Sequence, residues 1–277
     1  MTRPAEAMSS DWLTLCRDAA GDIRALLTEL PTREARSHPV GTGEGGDETV
    51  AIDLAAENAI VRRLEALHRE GAEFVLVSEE LGERRFGSDP TRRVVVDPID
   101  GSVNAKSCIP FFSLSIAVAD GPRMVDVAFG YVHDFGTGEE WIAERGGGAR
   151  LDGQPLETEG PRSIIELLSL EGTTAAHVAD YAERLRGLAE RLRIMGSLAL
   201  SLCHLAAGRV DAVVSLKPIR SFDIAAAQLL LHERGLAISL PDSGPIGEAP
   251  LDVASRSRLV AARTPELCRQ LATALEE

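Results

Sequence analysis

The sequence predicts two packed α/β lobes with helices and sheets in layers, and three observations carry that prediction. Two N-terminal stretches place apolar residues at helical spacing, the rest of the first half meanders through short strands, and the second half alternates strands with helices. Residues 9–30 carry Leu13, Cys16, Ala20, Ile23, Leu26 and Leu27 on one helical face, stopped by Pro31. Residues 37–49, rich in glycine around Glu44 and Asp47, read as a surface loop. Ile52, Ala55, Ala56, Ala59, Ile60 and Leu64 mark a second amphipathic helix that ends near Gly71.

Phe74–Val77 and Val94–Val96 are short buried strands running into Glu79-Glu80 and Asp97. Phe111–Ala119 pairs with Val125–Val132 through the turn Asp120-Gly121-Pro122, and Trp141–Ala143 before Gly146-Gly147-Gly148 completes the meander. Further on, strands are expected at Ile165–Leu170, Arg193–Met195, Ala212–Ser215 and Ala237–Ser239. Helices are expected at Ala175–Arg191, Ser197–Ala207, Asp223–Arg234 and Pro265–Glu276. The change of pattern sets a boundary near 155–162, giving lobes 1–157 and 158–277.

Hydrophobic residues make up 44% and charged residues 26%, enough apolar mass for a real core. Aromatics are only 4%, so aliphatic side chains do the packing. Acidic residues outnumber basic ones by 43 to 29, which argues against a nucleic-acid binder that must neutralise phosphates. Cys16, Cys108, Cys203 and Cys268 show no metal spacing and read as buried thiols of a reducing compartment. The start MTRPAEAMSSDW has no signal-peptide pattern, and no apolar run approaches the ~18 residues of a membrane span. A cytoplasmic protein without membrane or nucleic-acid partners is the expectation. Of the six histidines, His68, His133, His177, His204 and His232 are scattered and offer no metal-ligand spacing, and the triple glycine lacks the Lys-Ser/Thr of a phosphate loop.

The chemistry concentrates in Asp97-Pro98-Ile99-Asp100-Gly101-Ser102. Two carboxylates this close repel unless a proton or a cation lies between them. Mg²⁺ takes oxygen ligands and commonly shares them with a phosphate. Gly101 permits close backbone approach, and Ser102 with Asn104 opens a helix whose free N–H groups suit an anion. An ordinary strand–turn–helix with an Asp cap would show the same residues. Glu79-Glu80 at another strand exit and Asp223 at the start of the small-residue helix Asp223–Ala227 weigh towards the metal. Alone, Asp223 would serve as an N-terminal helix charge.

Those residues resemble the lithium-sensitive, magnesium-dependent phosphatase superfamily of inositol monophosphatase and fructose-1,6-bisphosphatase. Its Asp-Pro-(Ile/Leu)-Asp-Gly-(Thr/Ser) pattern falls on 97–102, its Glu-Glu on 79–80 and its Asp-x-Ala-Ala on 223–226, in order across roughly residues 10–270. The branch combining both activities, common in archaea, is most similar through Gly101–Asn104, Ile109–Ser113 and Gly208–Val213. The resemblance implies an alternating α-β-α-β-α sandwich, a homodimer and Mg²⁺-dependent hydrolysis of a sugar or cyclitol phosphate.

It further implies a first Mg²⁺ on Glu79, Asp97 and the Ile99 carbonyl, and a second on Asp97, Asp100 and Asp223. A third, looser ion would lean on Glu79 and on the loop through Glu44 and Asp47. Ser102 oriented by Asp53, together with Glu79 and Thr49, would position and deprotonate the attacking water. The N–H groups of Gly101 and Ser102 would hold phosphate oxygens. Asp53, followed by Glu57, would equally serve as a helix-start charge, and Ser102 as a cap.

Departures from the family pattern concern the substrate. Leu216 stands where inositol-specific members carry a Glu, and Lys217 and Arg220 bring cations suited to a second phosphate. Solvated cations offsetting the acidic neighbourhood would look the same. Ser197 is a further substrate candidate. Ser221-Phe222, Ala105 and Ala227 also differ from the usual residues without removing a ligand. A 3′-nucleotide (phosphoadenosine phosphate) or histidinol-phosphate phosphatase is an alternative, as is a non-catalytic regulator binding a phosphorylated metabolite. Retention of Glu79, Asp97, Asp100 and Asp223 favours an enzyme.

Overall fold

The computed structural model describes residues 5–42, 48–88, 90–157, 160 and 163–276. The chain opens with helix α1 (Ala5–Glu29) and the short α2 (Arg33–Arg36), continues through an antiparallel pair β1 (Pro39–Thr42) and β2 (Glu48–Val50), and enters α3 (Ala51–Arg69). A sheet follows from β3 (Phe74–Ser78), β4 (Gly82–Phe86), β5 (Arg93–Asp100), β6 (Ser113–Ala119), β7 (Val127–Asp134), β8 (Glu140–Glu144), β9 (Gly148–Leu151) and β10 (Gln154–Pro155), with α4 (Ser102–Lys106) after β5. Its order is β10-β9-β8-β7-β6-β5-β3-β4. The remainder is β11 (Ile165–Glu171), α5 (Ala175–Ala182), β12 (Ala189–Arg193), α6 (Leu198–Ala206), β13 (Ala212–Ile219), α7 (Ser221–Glu233), β14 (Ala237–Ser239), β15 (Ser257–Ala262) and α8 (Pro265–Glu276). These strands form a second sheet in the order β12-β11-β13-β15-β14.

Side-chain alternation explains the layers. In β5, Val94 and Val96 pack with Trp12, Cys16 and Ile23 of α1 and with Ile52, Ala56 and Ile60 of α3. Val95, between them, points the other way, to a core shared with Leu200, Leu202, Leu229 and Leu230 of α6 and α7. A strand buried on both faces reads as a continuous β-branched run. The second sheet repeats the device: Val213 and Ala261 join the α6/α7 core, while Ala212, Val214, Val260 and Ala262 face Leu267 and Leu271 of α8. The layers are therefore α-β-α-β-α. Helix α7 lies between two sheets, and residues 224–231 are buried all round, so it has no polar face to reveal it as amphipathic.

Several expectations are corrected. The helix expected over 175–191 ends at Ala182; turns follow, with Gly187 at φ 80°, and 189–193 adds an edge strand parallel to β11. That strand carries mostly exposed side chains, so no apolar alternation announced it. The strand placed at 193–195 is in fact this one, shifted back. The stretch 37–49 is not all loop, because 39–42 and 48–50 pair as strands, while Glu44 and Asp47 lie outside the described residues. Other strands went unread: β4, an edge strand with charged exposed residues, β15, a short Leu-Val-Ala-Ala run that carries no period, and the short β9 and β10 after the triple glycine. Cys108 is exposed rather than buried, whereas Cys16, Cys203 and Cys268 are buried. No helix of the described residues is long and apolar enough to cross a membrane.

Because α7 is packed from both sides, shortening a central side chain should leave a cavity that neither sheet can close. Leu230 is fully buried, and Leu230→Ala is expected to lower unfolding free energy by about 2–5 kcal/mol in urea titration. A loss below ~1 kcal/mol would contradict the shared-core reading.

Candidate active site

The site grows from an exception in the first sheet. Strands β3 and β5 run parallel, with Ser78 opposite Val96, while their other neighbours are antiparallel. The next residues are Glu79 and Asp97, so the parallel pair delivers two carboxylates side by side at its carboxyl ends. Asp97 pairs with Ser115 of β6 and Asp100 with Ser113, so three steps on β5 match two on β6. The extra residue is a bulge at Pro98-Ile99, where proline has no N–H to lose from the ladder. Opposite residues of an antiparallel ladder share a face, and Ser113 and Ser115 are two apart. The bulge thereby turns Asp97 and Asp100 to the same face, the one covered by α6 and α7.

Each carboxylate has a defined partner. Asp97 accepts from the Ile99 N–H at 3.1 Å. Asp100 receives the Ser197 hydroxyl and the N–H groups of Leu198 (3.3 Å) and Ala199 (2.8 Å), at the start of α6. Asp223, third residue of α7, accepts from the Arg220 N–H at 2.6 Å. The Arg220 guanidinium forms an ion pair with Glu79 at 3.1 Å. Gly101 adopts φ 96°, and a Cβ there would stand 2.9 Å from the Gly196 carbonyl, so the 195–197 turn closes directly onto the Asp97–Ser102 backbone. Asn104 fastens the same contact by donating to the carbonyls of Phe111 (2.8 Å) and Met195 (2.6 Å).

The other expected residues take varied places. Ser102 lies beside the bulge, with its one hydroxyl proton directed to the Ile99 carbonyl at 2.9 Å. Asp53 is buried at the third position of α3, close enough for its charge to raise the pKa of Glu79. Thr49 belongs to β2. Ser197 is buried as the N-cap of α6, and its hydroxyl serves Asp100. Leu216 is buried, Lys217 is exposed, and Arg220 is intermediate. A cavity of about 380 Å³ brings Glu79, Asp100 and Asp223 together with Lys217 and Arg220, floored by Gly172, Gly196 and Ser215.

Burial is the first cause of every shift in the cluster. It raises Asp97 well above the ordinary carboxylate range, aided by the charges of Glu79, Asp100 and Asp223. Burial, then the charge of Asp223, raises Glu79 to about 8 against the pull of Arg220. Asp223 rises to about 7 and Asp100 to about 6, the latter held down by Ser197 and the α6 N–H groups. Among the described residues, no three Asp, Glu, His or Cys side chains enclose an ion as they stand. The physical reason is that each acid is turned to a protein donor. The charge nonetheless fits a cation: Glu79, Asp100 and Asp223 face one cavity, all three act on the charge of neighbouring Asp97, and burial raises the pKa of all four.

Sequence reasoning missed Arg256, which lines the same cavity and whose charge lowers the pKa of Asp223. It stands outside any motif, so no local signal marks it. Glu57 was noted only as the acid that follows Asp53, with no role of its own. It is 1% exposed, receives the Ser78 hydroxyl and is raised to about 7 by burial. Its place on the apolar face of α3, one turn after Asp53, was the available signal.

With the geometry in place, comparison decides the family. The sequence profile of the inositol monophosphatase family matches residues 13–277. The chain belongs to the inositol monophosphatase family. Similar proteins include the fructose-1,6-bisphosphatase/inositol-1-monophosphatase of Methanothermobacter thermautotrophicus, 32% identical over 96% of both chains. The protein of the same name from Archaeoglobus fulgidus is 32% identical over 91% of this chain and 93% of that one. A solved inositol monophosphatase–fructose 1,6-bisphosphatase superposes with a TM-score of 0.81 at 28% identity, covering 95% of this chain and 99% of the other. Membership of the inositol monophosphatase family makes the chain a phosphoric monoester hydrolase.

The raised acids make the stability of the ion-free protein depend on pH in one direction. Glu79, Asp223 and Asp100 release their protons near 8, 7 and 6 in the native state, and unfolded carboxyls near ~4. The native chain binds more protons between these limits, so this contribution is complete below about pH 4 and is lost as pH rises through about 8. In a chelator, Tm is expected to fall from about pH 6 to about pH 8, with a shallower fall in Glu79→Gln. Equal slopes in the two proteins would contradict the assignment.

Proposed function

We propose that this chain is a Mg²⁺-dependent phosphatase for a sugar or cyclitol phosphate monoester, acting on inositol monophosphate, fructose 1,6-bisphosphate or both. The observation that carries the proposal is the set of carboxylates Glu79, Asp100 and Asp223 at one cavity, next to buried Asp97, with Lys217, Arg220 and Arg256 lining the same cavity. Glu79, Asp97, Asp100, Asp223 and the Ile99 carbonyl are the groups to hold the ions. When bound, the ions supply positive charge against the phosphate and acidify a water.

The chain's own residues do the rest. Glu79, paired with Arg220 in the ion-free protein, would accept a proton from the water once Arg220 has been drawn from it. Asp53, whose charge reaches Glu79, and Ser102 are assigned to orient that water, and Thr49 stands in the strand leading into the helix of Asp53. The N–H groups of Gly101 and Ser102 receive phosphate oxygens, because the left-handed Gly101 leaves the first turn of α4 without a side-chain cap. Arg220 is then free to bind a second phosphate with Lys217 and Arg256. Buried Leu216 offers no hydrogen bond to a sugar hydroxyl, which favours recognition through charge.

A panel of phosphorylated metabolites, assayed with Mg²⁺ and ranked by kcat/KM, tests the substrate class. Asp97→Asn is expected to abolish Mg²⁺-dependent phosphate release with the far-UV circular dichroism unchanged, and near-normal turnover would refute the ion site. Arg220→Ala is expected to raise KM for the bisphosphate about 10–100-fold, the value of a lost charge-assisted hydrogen bond, and KM for a monophosphate much less. Equal rises for both would reject a second-phosphate role.

A further inference from the structure

One buried carboxylate has no part in that chemistry. Glu171, the last residue of β11, is 2% exposed. Its Oε2 accepts from the Gly196 N–H at 2.8 Å. Its Oε1 accepts from the Ser201 hydroxyl at 2.7 Å, the Ser169 hydroxyl at 2.9 Å and the Met195 N–H at 3.4 Å. One carboxylate thus ties together a strand of the second sheet, the 195–197 turn and helix α6. Burying a charge is costly unless donors converge on it, and an apolar residue would fill the position at lower cost.

The turn it holds meets the catalytic cluster at two points. The Gly196 carbonyl lies 2.9 Å from where a Gly101 Cβ would be. The next three residues supply the Ser197 hydroxyl and the Leu198 and Ala199 N–H groups that grip Asp100. Asp100 and Gly101 belong to the first sheet and its following turn, whereas Glu171 belongs to the second.

The geometry assigns Glu171 as the positioning residue of the site: it fixes the 195–197 turn, and through that turn the carboxylate of Asp100 and the backbone of Gly101. The assignment rests on Asp100 being an ion ligand. Losing the acceptor leaves the Gly196 N–H buried without a partner, and the turn relaxes to find one. Mg²⁺ tolerates such a shift poorly because it demands near-ideal octahedral geometry. Groups that orient a ligand are worth 10–100-fold in metal affinity.

The test is Glu171→Ala and Glu171→Gln in the full chain, with two readouts: the Mg²⁺ concentration at half-maximal phosphate release, and the rise in Tm that Mg²⁺ produces without substrate. Glu171→Ala is expected to raise the Mg²⁺ midpoint about 10–100-fold and to shrink the Tm rise. Glu171→Gln keeps an acceptor for Gly196 and turns its amide to hydroxyls that accept, losing only the long 3.4 Å contact from the Met195 N–H, so its midpoint is expected within about 3-fold of wild type. Should Glu171→Ala not fold, Glu171→Asp, which withdraws the carboxylate by one methylene, is expected to shift the midpoint about 10-fold. A folded Ala or Asp variant with lower Tm but an unchanged Mg²⁺ midpoint would overturn the role, leaving Glu171 merely structural. A wild-type protein indifferent to Mg²⁺ in both readouts would overturn the ion site and this role together. A responsive wild type with indifferent variants would overturn this role alone.

Discussion

Electrostatic crowding of carboxylates at the ends of β3 and β5 is the constraint on which the rest of the structure depends. Antiparallel neighbours send their carboxyl ends to opposite edges of a sheet, so only a parallel pair could put Glu79 beside Asp97. The bulge then adds Asp100 to the same face, and α7 brings Asp223. No arrangement of this charge is comfortable in an apolar interior, and burial drives all four acids upward in pKa. The surrounding donors answer that cost: helix N-termini at Asp100 and Asp223, a backbone amide at Asp97, a guanidinium at Glu79.

The helical layer between the sheets makes those answers possible. Helices α6 and α7 each begin at the cavity, and their N–H groups carry positive partial charge towards it. Both helices are held from two sides by one continuous apolar core, so their ends are not free to drift. The path from Glu171 through Gly196 to Asp100 follows the same logic, with the second sheet steadying a ligand that the first one presents. Arg220 is paired with the Glu79 carboxylate, and that pairing lets one residue serve the charge balance of the ion-free site and the substrate.

Legibility in the sequence followed burial and locality. Amphipathic α1 and α3 were readable because each has one wet face, and β5 because three consecutive valines admit few other readings. Strands β12 and β4 were not, since edge strands bear exposed polar residues without alternation. The short run of β15 has no period to distinguish strand from buried helix. At the site, Asp97 and Asp100 lie in one motif, and Glu79 and Asp223 sit at recognisable element ends. Glu57 was noted only as the acid after Asp53, and nothing near Arg256 marks it, because its importance comes from the cavity alone.

By itself the sequence determined the layered α/β class, the acidic motif at a strand exit and the identity of the four carboxylates. These are consequences of local periodicity and of residues close along the chain. Tertiary structure alone decided which partner each carboxylate takes, that Ser197 serves Asp100, and that Arg220 pairs with Glu79 across 141 positions. It also decided that Glu171 reaches across from the other sheet. Hydrogen bonds and charge pairs act over a few ångströms, and only the packed fold determines which distant residues come within that reach.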